Sequence, residues 1–161
     1  MTIRRVLLIA AALVMAYFAV RAIRTALASE ETRIRWLFAD EATAFNDCKA
    51  LSVLEHFAPD WQDETTGITR QQLKGGLMYV FQNRRDPKTQ QFLYRIEVGR
   101  YDVEVEGEHA KAVLPLVLHE GLGADERALW ELRVTAELGK HDGSWRVDRS
   151  RHETIHGSAP R

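Results

Sequence analysis

FLYRIEVGRYDVEV, residues 92–105, places an apolar side chain at every second position, but not in one phase. Phe92, Tyr94, Ile96 and Val98 take the even positions, and Tyr101, Val103 and Val105 the odd ones. A period of two is the signature of a half-buried strand. A change of phase turns every later side chain over unless one extra residue is absorbed, so the slip at Gly99-Arg100 predicts a β-bulge that bends a long strand. Glu106-Gly107-Glu108 then reads as a hairpin turn.

The same rhythm continues to the C-terminus. Residues 110–119 carry Ala110, Ala112, Leu114, Leu116 and Leu118 on one face, with Pro115 pointing to a bulge or an edge. Residues 121–126 read as a loop. Residues 127–138 alternate between Ala128, Trp130, Leu132, Val134, Ala136 and Leu138 on one side and Arg127, Glu131, Arg133, Thr135 and Glu137 on the other, so the sheet has one wet face. The turn His141-Asp142-Gly143 leads into a last strand over 144–152, and residues 157–161 read as a disordered tail.

Before Pro87 the period is 3.6. Residues 30–46 set Ile34, Leu37, Phe38 and Phe45 at helical spacing, and Ala50, Leu51, Leu54 and Phe57 form a shorter pattern with Asn46 or Asp47 available to cap it. Residues 60–67 read as turns. Thr69 and Gln72 form a capping box that opens a third helix through Leu73, Leu77, Val80 and Phe81. Gly75 and Gly76 each cost that helix about 1 kcal/mol relative to Ala, which implies close packing against a backbone or a ring such as Trp61 ahead of the alternative, room for a ligand at the mouth of a pocket. Helices followed by antiparallel strands make the class α+β.

The first 28 residues differ from the rest. Residues 6–20, VLLIAAALVMAYFAV, are apolar without a charge and are flanked by Arg4, Arg5, Arg21 and Arg24. At 1.5 Å per residue they span about 22 Å, and residues 3–23 with snorkelling arginines reach a bilayer's hydrocarbon width. The expectation is a single-pass membrane anchor over 1–28 carrying one domain over 29–156, outside the cytoplasm and periplasmic. The alternative is secretion after cleavage near Ala28, since Ala26-Leu27-Ala28 has the form of a signal-peptide site. Beyond residue 28 the chain holds 18 basic and 23 acidic residues, a net charge of −5 without a basic run, which argues against nucleic acid as a partner. Cys48 is the only cysteine and reads as a buried thiol, so no intramolecular disulfide forms.

Three helices, a long bent strand and an antiparallel meander ending in DGSWRV resemble the nuclear transport factor 2-like superfamily, which includes polyketide cyclase-like (SnoaL-like) and ketosteroid isomerase-like domains. The resemblance rests on PDWQDETTGITRQQL (59–73), VEVEGEHAKAVL (103–114) and KHDGSWRVDRSRHE (140–153). It implies N-terminal helices packed in a curved antiparallel sheet, a cone-shaped α+β barrel around a cavity. Trp61, Leu77, Tyr79, Phe92, Tyr94 and Trp130 are then the cavity candidates.

Relatives with catalytic cavities place an acid or base in apolar surroundings. Asp60, Asp63, Tyr79, Tyr94, His119 and His152 are the groups that could serve. Asp60 and Asp63 read more simply as turn and capping groups, and His119 and His152 as solvated strand residues, His152 sharing parity with Asp148 and Ser150. Arg95 with Glu97, and Glu131 with Arg133, read as ion pairs on the wet face. His152 and His156 have no helix to align them on a metal. The sequence therefore points to a non-catalytic, membrane-tethered domain that binds a small apolar ligand or a protein partner, with no catalytic residue, metal or cofactor assigned. The alternative is an isomerase, dehydratase or hydrolase using a cavity acid or base.

Overall fold

The computed structural model describes Met15 and residues 28–160. The segment expected to enter a membrane lies outside those residues apart from Met15. Among the described residues no helix is long and apolar enough to cross a membrane.

Helix α1 (Glu30–Asn46) begins at Ser29, whose hydroxyl accepts from the Thr32 amide at 3.2 Å, with Glu30 and Glu31 in the first turn. Both choices suit the positive end of a helix. Its inward stripe is Ile34, Leu37, Phe38 and Ala44. Cys48 turns the chain at φ 58° into α2 (Ala50–Glu55). That helix has no side-chain cap. Asn46 is engaged elsewhere, exchanging two hydrogen bonds with the Ile96 backbone at 2.8 and 3.0 Å. Helix α3 (Arg70–Asn83) opens with the capping box of Thr69 and Gln72.

Strand β1 (Phe57–Asp63) occupies a stretch that reads as turns from sequence alone. It pairs parallel with the last strand, with an irregularity between Phe57 and Gln62. The other strands are β2 (Tyr94–Val98), β3 (Asp102–Glu106), β4 (His109–Glu120), β5 (Arg127–His141) and β6 (Ser144–Gly157). They form one sheet in the order β1-β6-β5-β4-β2, with β3 also on β4. Strand β6 thus runs five residues past the expected end.

The predicted bend is present. Val98 pairs with Leu116 and Asp102 with Val113, so Gly99, Arg100 and Tyr101 face only Leu114 and Pro115. The Gly99 amide donates to the Pro115 carbonyl at 2.9 Å, and a Cβ on Gly99 would meet the proline ring. Asp142 and Gly143, with φ of 51° and 78°, close the β5–β6 hairpin as a two-residue type I′ turn.

Two apolar clusters fill the curled sheet. One joins Ile34, Leu37 and Phe38 to Trp61, Leu114, Leu138, Trp145 and Val147. The other joins Ala44, Val53 and Leu54 to Leu77 and Phe81. Gly75 and Gly76 belong to neither. An added Cβ at either meets nothing within 4 Å, so the close packing expected there is absent and both face open space.

Candidate functional site

The sheet's inner face is decided by bulges that local periodicity does not show. Leu138 pairs with Val147 but Glu137 pairs with Arg149, so Asp148 is an extra residue on β6. Beyond it the phase reverses. Ser150 pairs with Ala136, His152 with Val134 and Thr154 with Leu132, which places these polar side chains on the apolar face of β5. The expectation of a solvated His152 is overturned: its side chain is only 18% exposed.

Strand β1 brings Asp63 beside them, since Asp63 pairs with Ser150. Asp63 is the buried charged residue among those described. Its Oδ1 accepts from the Thr66 amide at 2.9 Å and the Thr66 hydroxyl at 2.8 Å, the turn role expected of it. Its Oδ2 accepts from the Ser150 hydroxyl at 3.1 Å and lies 3.4 Å from His152 Nδ1. Burial pushes this carboxyl up, but the Thr66 hydroxyl and amide together with His152 outweigh it and hold Asp63 below its ordinary value. Thr65 fixes the histidine backbone: the His152 amide donates to Thr65 Oγ1 at 2.8 Å, and that hydroxyl donates to the His152 carbonyl at 3.1 Å.

Trp130 completes the group. Its ring stands edge-on to His152 with centroids 5.6 Å apart, and its Nε1 donates to Thr154 Oγ1 at 3.0 Å. Trp130, Val134 and Leu116 on this wall are half-buried rather than sealed. Helix α1 lies on β2, β3 and β6, and α3 packs on β1 and α2, while none of the described helices packs extensively on β5. Around His152 the inner face of β5 therefore keeps Trp130 and Val134 part-exposed, while Leu132 between them is buried.

The other cavity candidates lie elsewhere. Trp61 is buried in the main core against Phe57 at 4.8 Å. Leu77 and Phe92 join the helix cluster, and Phe92 packs on Phe81 and Tyr94. Burial holds the Tyr94 phenol above its ordinary value. Tyr79 is 61% exposed on the outer side of α3 and lines no interior. Asp60 is exposed. His119 sits on the outer face within 3.7 Å of Glu97 and 3.5 Å of Glu126, where Arg95 also pairs with both carboxylates, and at 19% side-chain exposure it too departs from the solvated residue expected. Arg133 pairs across strands with Glu153 rather than with Glu131.

A further group is absent from the sequence-based list. Glu41 falls in the centre of the α1 stripe, four residues after Leu37 and three before Ala44. Its Oε1 is sealed from solvent without a hydrogen-bond partner, and burial raises its pKa to about 8. The signal was a lone carboxylate interrupting an apolar helical face.

Outside the cone, residues 48–52 and α3 bound a groove of about 700 Å³. Cys48, Met78 and Phe81 line it, with Lys49, Lys74 and Arg85 among its lining residues. The thiol expected to be buried is half-exposed there.

Six strands curled over three N-terminal helices, with a bend at Gly99 and β1 closing the edge, can be compared directly with solved structures. An NTF2-like protein with a cystatin-like fold from Novosphingobium aromaticivorans matches with a TM-score of 0.67 at 18% identity, over 86% of this chain and 90% of that one. The chain has the cystatin-like, NTF2-like fold. A ketosteroid isomerase-like protein from Erwinia carotovora atroseptica shares this fold with a TM-score of 0.58 at 18% identity, over 80% of this chain and 98% of that one. A Mycobacterium tuberculosis protein of unknown function does so at 0.65 and 20% identity, over 78% and 71%. No protein-family model and no curated protein matches the chain. An NTF2-like fold at this identity carries no activity with it.

Proposed function

We propose that this domain binds a small, largely apolar molecule on the concave wall of the cone, and that residues 3–23 tether it to a membrane with the domain on the periplasmic side. One observation carries the binding reading: the inner face of β5 bears a half-buried Trp130 beside polar groups, and no described helix covers it extensively. Ligand sites combine apolar walls with a few fixed polar groups, and this wall has both.

Tryptophan fluorescence and thermal shift against a panel of neutral ring compounds test the reading. Trp130→Ala weakens any ligand found by about tenfold, the contribution of one aromatic contact of about 1.4 kcal/mol, while Tyr79→Ala leaves binding unchanged. Equal binding by the Trp130→Ala protein overturns this placement. For the tether, the full chain sediments with membranes, and the domain is digested by protease added to spheroplasts. Protection from protease in intact spheroplasts refutes the orientation.

A further inference from the structure

We propose that the groove between residues 48–52 and α3 binds a free medium-chain fatty acid, its carboxylate on Lys74 and its tail along Leu51, Met78 and Phe81. The site lies outside the cone, so it stands or falls independently of the concave wall.

The trough is apolar. Leu51 and Met78, 66% and 46% exposed, line the groove of about 700 Å³ together with the buried Phe81 ring. That volume is the size of a small-molecule site. Gly75, three residues before Met78 on the same face of α3, adds no side chain, and a Cβ there would meet nothing. The groove is therefore unobstructed on that side.

Three cations line the same groove, and two of them are already engaged. Lys49 Nζ lies 2.8 Å from the Asp47 carboxylate, so Asp47 adds no free negative charge there. Arg85 donates from Nε to the Phe81 carbonyl at 2.7 Å and from Nη1 to the Gln90 carbonyl at 2.9 Å. Lys74 is half-buried and has neither ion pair nor hydrogen bond among the described residues. An apolar trough beside an unpaired ammonium suits a molecule with one anionic head and one hydrocarbon tail. From Lys74 to Phe81 the helix rises about 10 Å, which sets the tail at medium length.

Other occupants fit less well. Two exposed apolar side chains fall far short of the ~800 Å² that a stable protein interface covers on each partner. The chain's own apolar run, residues 6–20, is flanked by Arg4, Arg5, Arg21 and Arg24, charges of the same sign as those of the groove. A bilayer lipid is disfavoured by distance. Helix α1 rises about 25 Å between Ser29, where the chain arrives from residues 3–23, and Cys48 at the groove.

Cys48 lines the groove and is the sole cysteine, so its reactivity reports occupancy. With the full chain, decanoate protects this thiol from iodoacetamide, whereas decylamine at the same concentration does not. Lys74→Glu raises the decanoate concentration for half-protection about tenfold, a like-charge cost discounted for the part-exposed site, and leaves that for decanol within twofold. Met78→Glu weakens protection by both, and Trp130→Ala changes neither. Probe lost to lipid or detergent is common to every variant and cancels in the ratios.

Equal protection by decylamine and decanoate, an unchanged decanoate response in Lys74→Glu, or no protection by decanoate at all overturns the proposal. Protection lost in Trp130→Ala but kept in Met78→Glu refutes the groove and leaves the concave-wall reading standing. Protection by phosphatidylglycerol vesicles without any by decanoate refutes the free acid in favour of a membrane surface.

Discussion

The indole of Trp145 donates to Glu30 Oε2 at 2.5 Å, joining the first turn of α1 to the start of β6 across most of the chain. Lys140 and Arg33 approach the other oxygen of the same carboxylate at 3.0 and 3.2 Å. The Trp145 hydrogen bond, then that from Lys140, hold Glu30 below its ordinary value against the opposing effect of burial.

Glu30→Gln therefore costs about 1 kcal/mol at pH 7, a charge-assisted bond discounted for the part-exposed site. A carboxyl with a depressed folded pKa stabilises above its unfolded value and loses that contribution as pH falls through the folded one. Urea denaturation at pH 7 and at pH 3 checks this: the gap between wild type and Glu30→Gln narrows in acid.

Glu41 has the opposite sign. Burial holds its folded pKa at about 8 against 4.5 for an ordinary glutamate, so between those values the folded chain holds a proton that the unfolded chain has lost. Stability falls across that window as pH rises. Glu41→Gln keeps the shape without the charge and is more stable than wild type by on the order of 3 kcal/mol at pH 8, with little difference near pH 4. Denaturant midpoints at the two pH values measure it, and parallel curves at both refute it.

Gly75→Ala and Gly76→Ala each stabilise the domain by about 0.5–1 kcal/mol. Both glycines lie inside α3 and an added Cβ meets nothing, so only the backbone entropy changes. A rise in thermal midpoint for each, additive in the double variant, is the expected result. A fall in either places an unseen partner against that face of the helix.

Gly139→Ala destabilises instead. A Cβ there collides with the Asp148 carboxylate, whose other oxygen lies 2.6 Å from His141 Nε2. The loss, about 1–3 kcal/mol, follows from forcing a side chain into an occupied place. Chemical denaturation measures it, and Gly107→Ala, at a hairpin position with φ 62° and open space, separates backbone strain from collision.

The elements that local pattern governs were readable from sequence. The Thr69–Gln72 box, the Asp142-Gly143 turn and the phase slip before Tyr101 each depend on residues within a few positions, and each forms as expected. Strand β1 was not readable. Pro59 and Asp60 break its pattern, and its partner Val147 lies about 90 residues away. The candidate site was misread for a related reason. Parity after Val147 extrapolates correctly only if no residue is skipped, and whether Asp148 is skipped depends on how Glu137 pairs with Arg149. Glu41 was visible as a residue, but only its sealed Oε1 distinguishes it from a surface acid.

The unpaired residue at Asp148 also sets how this strand tolerates change. Were Asp148 paired rather than skipped, Ala136 would meet Arg149 instead of Ser150, sending imidazole and hydroxyls outward and delivering Arg149 and Arg151 into the hollow. Whether this one residue is skipped, more than the identity of any neighbour, separates a receptive interior from a cationic one.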